Sequence, residues 1–307
     1  MIPERVVIAG GTGFIGGFFV NYLLSLGSSV TVITRFPKPY SSSQPSLSTV
    51  TWNDCLASHL EQCDLVVNLS GEPLLGHRWT SRVKRSLFHS RVDTTLRLAR
   101  EIRQTSSPPP VFLSCSAIGY YGDAGDTWLD EKARPGKDFL SQLCVSWEEA
   151  ASSISTDRTR VVTLRFGVVL HPSGGMLAHL IPIFRTGLGG PVGTGKQWLS
   201  WVSMKDTMGL MLHAWASPQL SGPLNVVSPS PLRQKEFAKQ LGASYRRPSW
   251  IPVPALLLKL LFGQASGVLL GSQRVRPARA EMTGYSFHHA TLCSEVFKGS
   301  QDMCALL

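Results

Sequence analysis

Residues Val6 to Gly17 read VVIAGGTGFIGG, and the fold turns on this stretch. An apolar run, Arg5 to Ala9, enters a loop that is half glycine. Apolar residues at helical spacing follow at once: Phe14, Ile15, Phe18, Phe19, Tyr22 and Leu23. Gly11, Gly13 and Gly16 satisfy G-x-G-x-x-G, and Gly10, Gly13 and Gly16 give a second glycine spacing. Either spacing alone is weak and also fits a merely structural turn. A strand before the loop and a helix after it supply the context of a dinucleotide-binding fingerprint. Glycine permits the tight turn and lets the backbone approach a pyrophosphate, while the helix N-terminus offers free N–H donors and partial positive charge. Gly10, Gly11, Thr12, Gly13, Phe14, Ile15 and Gly16 are therefore the first candidate cofactor-binding residues.

The next strand selects among dinucleotides. It reads SVTVITRF from Ser29. A site for NAD places an acidic residue near its end to hold the ribose 2′-hydroxyl. Thr34 stands there instead, Arg35 follows, and Lys38 is close by. A guanidinium forks onto a 2′-phosphate, so the expected cofactor is NADP(H).

Outward from this unit, strand-like runs alternate with helix-length segments. The strands expected are Arg5–Ala9, Ser29–Thr34, Thr49–Trp52, Leu65–Leu69, Val111–Cys115 and Arg160–Phe166. The helices expected are Phe14–Leu26, roughly Thr80–Arg103, and Phe139–Ser153. Most of the strands are continuous apolar runs, which suits a parallel sheet covered on both faces. The fold class is α/β, a doubly wound parallel Rossmann sheet with helices on both faces and a smaller C-terminal substrate lobe. After Gly167, Gly, Pro and Trp become dense, as in GLGGPVGTGKQWLSW. Residues 1–167, with 206–228 returning to the sheet, form the cofactor domain. Residues 168–205 and 229–307 form the lobe. A buried helix is expected near Leu256–Phe262.

Composition narrows the function classes. The chain has 307 residues, 43% of them hydrophobic and 16% charged, a globular balance that excludes a disordered chain. None of its six cysteines forms C-x-x-C, so reduced thiols and no metal are expected. The Asn68-Leu69-Ser70 sequon ends an apolar strand and reads as chance. The net charge of +10 is concentrated partly between Arg78 and Arg103. No nucleic-acid module accompanies it, so a solvated face or an anionic small molecule is favoured. The first strand begins too early for a cleaved leader, and the apolar run from Ile251 to Gly271 is broken by Pro252, Pro254 and Lys259. A cytoplasmic protein is expected, with an organelle matrix left open. Its partner is an unidentified small molecule rather than nucleic acid or membrane, and a homodimer is a compatible assembly.

With these residues assembled, the chain resembles the extended short-chain dehydrogenase/reductase superfamily, and within it the atypical "epimerase family" branch related to nucleotide-sugar epimerases. GGTGFIG, VVNLSGEPL, SRVDTT, SAIGYYG, DFLSQLCVSWEEAA, LRFGVVL, GLGGPVGTGKQWLSWV, GPLNVVSP and GSQRVRP carry the resemblance, in order, along essentially the whole chain. It implies that Thr34 and Arg35 hold the 2′-phosphate end and that Leu69 and Ser70 line the adenine and ribose. It further implies that Arg91 reaches the phosphates and that Val169 lies beside the nicotinamide.

The resemblance also implies catalytic positions. Enzymes of this superfamily place a Ser or Thr at the end of the fifth strand and pair it with Tyr-x-x-x-Lys on the next helix, the lysine lowering the tyrosine pKa. Ser116 fits the first role. For the second, setting Glu148 against the superfamily's helix glutamate puts Leu140 at the tyrosine position and Cys144 at the lysine position. No Y-x-x-x-K occurs anywhere, as is general in this branch. Tyr120 and Tyr121 are the available replacements, or else packing residues of a turn. A tyrosine without its lysine, at a pKa of about 10, is a poor base but a usable proton donor. The expectation is an NADP-dependent oxidoreductase acting on a small carbonyl or hydroxyl compound. A non-catalytic dinucleotide sensor is the alternative, and a nucleotide-sugar epimerase, which needs a competent base, is third.

In the lobe, Trp198 and Trp201 are candidate apolar walls, Lys196 and Gln197 polar handles, and Arg274 or Arg276 anion binders. His288 and His289 have no acidic neighbour in sequence and are expected to be solvated.

Overall fold

A computed structural model describes residues 2–35, 46–154 and 158–299; Lys38 and Cys304 lie outside the described residues. Seven parallel strands form the main sheet: β1 (Arg5–Ala9), β2 (Ser29–Thr34), β3 (Leu47–Thr51), β4 (Leu65–Asn68), β5 (Val111–Ala117), β6 (Arg160–Phe166) and, late in the chain, Gly222–Val226. The short strands β7 (Val168–Leu170) and β8 (Trp201–Ser203) pair with each other outside it, which makes Gly222–Val226 β9. The order is β9-β6-β5-β4-β1-β2-β3. Strand order reverses between β1 and β4, which sit side by side with Ala9 opposite Asn68. In an open parallel sheet, ligands bind outside the carboxyl ends of the strands at such a reversal.

The strands are apolar throughout because both sheet faces are covered. One face buries Val6, Ile8, Val32, Leu65, Val67 and Leu113 against α1 (Phe14–Ser25) and the helix Met204–Ala216. The other buries Val7, Ile33, Val66 and Phe112 against α3 (Thr94–Gln104). The alternation of even and odd positions within β1 follows from side chains pointing to opposite faces.

Three expectations are corrected. The segment Thr80–Arg103 is not one regular helix. It comprises α2 (Ser81–Phe88), a π-helical turn at His89–Asp93, and α3. The helix Ala255–Phe262 exists but is not buried: Leu256 is 78% and Leu260 69% exposed, and Leu258 alone of the helix is buried. Its apolar residues surround the axis, whereas a helix lying on a protein packs along one stripe. Finally, His289 is not solvated, because its ring is held against Ser203.

Apart from four-residue helices at Ala57–Leu60 and Gly267–Leu270, the remaining α-helices among the described residues are α4 (Phe139–Ser152), α5 (Gly175–Arg185), α6 (Met204–Ala216), α7 (Gln234–Ser244), α8 (Ala255–Phe262), α9 (Ala278–Met282) and α10 (Ser294–Lys298). A separate core joins Leu170, Leu177, Phe184, Trp201, Phe237 and Phe297 beyond the main sheet. No helix among the described residues is long and apolar enough to cross a membrane.

Candidate cofactor and active site

The glycine loop leaves β1 at the strand-order reversal, and each glycine there has its own physical reason. Gly10 has φ +82, and a Cβ on it would stand 2.7 Å from the Leu69 backbone. Gly16 is the tightest: a Cβ would lie 2.2 Å from the Gly10 carbonyl oxygen. Gly11 faces the Val32 side chain at 2.9 Å. Gly13 differs. Its backbone is extended, with φ −79 and ψ 178, an arrangement any residue adopts. A Cβ there would meet only the Gly10 oxygen at 3.2 Å. Gly13 thus meets the fold at one backbone oxygen only, and its remaining side faces outward, as a cradle for a phosphate requires.

Gly13 caps α1 without a side-chain hydrogen bond, and no acidic residue stands in the first turn. The N–H donors of Phe14 and Ile15 thus sit at the positive end of a 12-residue helix with no built-in anion. Thr12 is exposed beside them. The Phe14 ring lies under the start of α5: a Cβ at Gly174 would be 2.2 Å from it, and one at Gly175 would be 2.9 Å from it and 3.4 Å from the Val169 carbonyl oxygen. Val169, on β7, is thereby brought to the same helix end as the glycines.

On the other side, Leu69 and Ser70 are half-buried and lie against Gly10. Asn68, fully buried, orients them: its side-chain oxygen accepts the Ser70 N–H at 3.1 Å, and its amide donates to Thr95 Oγ1 at 2.8 Å. Thr95 also accepts from the Trp147 indole and donates to the Arg91 carbonyl. Arg91 sits in the π-helical turn, 7% exposed, its guanidinium under Gly71. It donates to the carbonyls of Glu72, at 2.7 Å, and Leu87, at 3.3 Å, rather than to a carboxylate. Burial lowers its pKa against the pull of Glu72. A buried guanidinium satisfied by carbonyls and the Ser90 hydroxyl, all neutral, keeps its net charge available to an anion. Thr34 is buried at the end of β2, and Arg35 is exposed immediately after it. The structure therefore brings Leu69 and Ser70 against Gly10, Arg91 against Gly71, and Val169 close to Phe14, with Arg35 at the end of the neighbouring strand.

The proposed catalytic residues are arranged less simply. Ser116 is 1% exposed and lies inside β5 rather than beyond it. Its hydroxyl donates to Glu148 Oε1 at 2.7 Å. Glu148 is also held by the Arg165 guanidinium through two bonds of 2.8 Å. Of the two readings left open for Tyr121, the structure gives the packing one. It is 3% exposed, donates to Asn225 Oδ1 at 2.7 Å and accepts from Arg165 at 3.0 Å. Burial pushes its phenol up to about 12. Cys144 occupies the neighbourhood of Ser116 on α4, and burial pushes its thiol to about 12. A neutral thiol thus stands where a lysine ammonium would depress a tyrosine pKa. Tyr120 is half-buried, with the Arg165 guanidinium 3.5 Å from its ring centre. Its hydroxyl makes no hydrogen bond to any described residue, which leaves it available as a donor.

The lobe residues divide similarly. Trp201 is fully buried with its indole donating to Ser230, so it is not a cleft wall. Trp198 is half-buried between Arg233 and Arg274, each 4.1 Å from its ring, and donates to Asp126. Gln197 is occupied by the Val192 carbonyl, and Arg276 by Asp130. Sequence reasoning missed Asn68, Arg165 and Asn225. Each is a polar residue inside an apolar strand, a pattern that marks a buried hydrogen-bonded role.

Comparison with known proteins agrees with this geometry. The chain is 37% identical over 287 residues to the mouse epimerase family protein SDR39U1, covering 92% of this chain and 95% of the relative. It superimposes on the crystal structure of human SDR39U1 isoform 2 with NADPH at a TM-score of 0.88, with 36% identity, covering 96% of this chain and 98% of that one. A nucleoside-diphosphate sugar epimerase from Corynebacterium glutamicum gives a TM-score of 0.75 at 30% identity, over 94% of this chain and 56% of that one. Residues 253–294 match a domain of unknown function, DUF1731. With residues 6–227 matching its family model, the chain belongs to the NAD dependent epimerase/dehydratase family.

Proposed function

We propose that the chain binds NADP(H) and uses it to reduce a small carbonyl compound, with Tyr120 donating the proton. The observation that carries the binding half is the open position at Gly13, where a Cβ would meet nothing inside the protein but the Gly10 carbonyl oxygen at 3.2 Å. The uncapped end of α1 and the buried Arg91 suit the pyrophosphate, Arg35 suits a 2′-phosphate, and the human relative crystallised with NADPH agrees. When bound, the nicotinamide supplies or accepts hydride.

The direction follows from the protein's own groups. Alcohol oxidation or epimerisation needs a base at neutral pH. Tyr121 is pushed to about 12, and Cys144, also near 12, stays neutral. Reduction needs only a proton donor, which Tyr120 provides. Ser116 gives its hydrogen to Glu148, so it offers lone pairs rather than a donor, and it positions the strand end instead of holding a carbonyl oxygen. That commitment also favours the second reading, a dinucleotide sensor without turnover.

The test is a panel of reactive carbonyls with NADPH, followed by Tyr120→Phe on the best substrate. Loss of turnover in the variant with unchanged NADPH affinity supports the reductase. Tight NADPH binding with no carbonyl reduced moves the reading to the sensor. Absence of NADPH binding overturns both.

A further inference from the structure

His289 belongs to a cluster remote in sequence from the glycine loop and unused by the proposed chemistry. Its ring is held by the N-terminus of α6. The Asp206 carboxylate, 1% exposed, accepts the backbone N–H groups of His288 at 2.8 Å and His289 at 2.9 Å, and the Ser203 hydroxyl at 2.8 Å. Ser203 Oγ in turn accepts the Asp206 N–H at 3.0 Å. A hydroxyl has one hydrogen, and here the carboxylate takes it. His289 Nδ1, 3.0 Å from the same oxygen and 3.6 Å from the Asp206 carboxylate, has to be the donor. In the neutral imidazole this leaves Nε2 with a bare lone pair.

That lone pair faces outward into two further donors. Nε2 is 3.8 Å from Glu295 Oε2, and the ligand atoms of His289, Cys293 and Glu295 all lie within 4.8 Å of one another. We propose that His289, Cys293 and Glu295 form a three-ligand site for a divalent cation of zinc type, with the fourth position open to water. Imidazole nitrogen, thiolate and carboxylate are the donor set such an ion takes. A histidine whose other nitrogen donates to a hydroxyl that is itself bonded to a carboxylate is oriented as metal-bound histidines are. From bond lengths of roughly 2.0–2.3 Å, tetrahedral ligands stand about 3.3–3.8 Å apart. Closure therefore needs a shift of at most about 1–1.5 Å among the three side chains, of which Glu295 is 71% exposed. On binding, the Cys293 thiol loses its proton to solvent and its sulfur bonds the ion. The site would clamp the segment that carries Val296 and Phe297 into the outer core.

The experiment uses the full chain, reduced and stripped with a chelator, titrated with Zn²⁺ against a chromogenic competitor and with Co²⁺ by absorption. One tight equivalent is expected, with intense tetrahedral cobalt bands in the visible and a sulfur-to-cobalt charge-transfer band in the near ultraviolet. Cys293→Ser should remove the charge-transfer band, and Cys304→Ser should keep it. Glu295→Gln and His289→Gln should weaken Zn²⁺ by about tenfold or more, with circular dichroism unchanged in Glu295→Gln. Absence of stoichiometric binding overturns the site. So does a charge-transfer band that survives Cys293→Ser, or a Zn²⁺ affinity unmoved by Glu295→Gln; His289 and Glu295 would then be an ion pair only.

Discussion

Ser116 Oγ lies 2.7 Å from Glu148 Oε1, and the serine donates its only hydrogen to that carboxylate. Glu148 is shared with Arg165, whose side chain is 3% exposed. The serine that would meet a substrate oxygen in the superfamily is here part of a buried ion-pair network. Removing one partner of such a pair leaves the other charge uncompensated, at a cost of about 3–5 kcal/mol. Glu148→Ala should therefore destabilise the protein by about 3 kcal/mol in urea unfolding. A change within 0.5 kcal/mol, about the size of an ordinary surface substitution, would show the network to be idle.

The two adjacent tyrosines should separate cleanly. Tyr121→Phe leaves Asn225 Oδ1 without its donor inside the core, so stability should fall by about 1–3 kcal/mol, while NADPH affinity holds. Tyr120→Phe should leave unfolding unchanged and lower carbonyl reduction by about 10²–10⁴-fold. Equal effects of the two substitutions on both readouts would contradict the assignment.

Buried thiols give a pH prediction. Cys63, Cys115 and Cys144 are each pushed by burial from about 9 to about 12. The folded state holds these protons when the unfolded chain has released its own. Stability is thus full below pH 9 and declines between pH 9 and 12, and Tyr121 adds to the same loss from pH 10 upward. Urea midpoints measured from pH 7 to 11 should fall steadily above pH 9. In the native state an aromatic disulfide reagent at pH 8 should modify exposed Cys55 and spare buried Cys63 and Cys144 until unfolding. A flat stability profile would mean the thiols are not as enclosed as they stand here.

Much of the fold was readable because the parallel sheet is covered on both faces, so its strands are apolar runs and its turns glycine-rich. The glycine loop was legible for the same reason: Gly10 and Gly16 are required by contacts of the backbone with itself. What escaped was set by tertiary partners. Nothing in SRVDTT tells that Arg91 turns inward onto the Glu72 carbonyl through a π-helical turn. Tyr120 and Tyr121 are adjacent and alike in sequence, and what separates them is the pair of hydroxyl partners that Asn225 and Arg165, remote in sequence, give Tyr121. The leucines of Ala255–Phe262 suggest burial by composition, but burial depends on what packs against a helix, and there only Leu258 is covered.

The glycines should divide by what a methyl group meets. Gly16→Ala forces a Cβ to 2.2 Å from a backbone oxygen, so folding itself should suffer. Gly13→Val, with allowed backbone angles, should fold with an unfolding midpoint near that of the native protein and lose dinucleotide binding. A Gly13→Val protein that binds NADPH normally would remove the cradle from the account.

A site for a phosphorylated dinucleotide stands or falls on titration of the native chain with NADPH and with NADH by nicotinamide fluorescence. NADPH should bind at least about tenfold more tightly, a difference of about 1.4 kcal/mol, with the preference erased or reversed in Arg35→Asp. Equal affinities for the two cofactors in the native chain would contradict it.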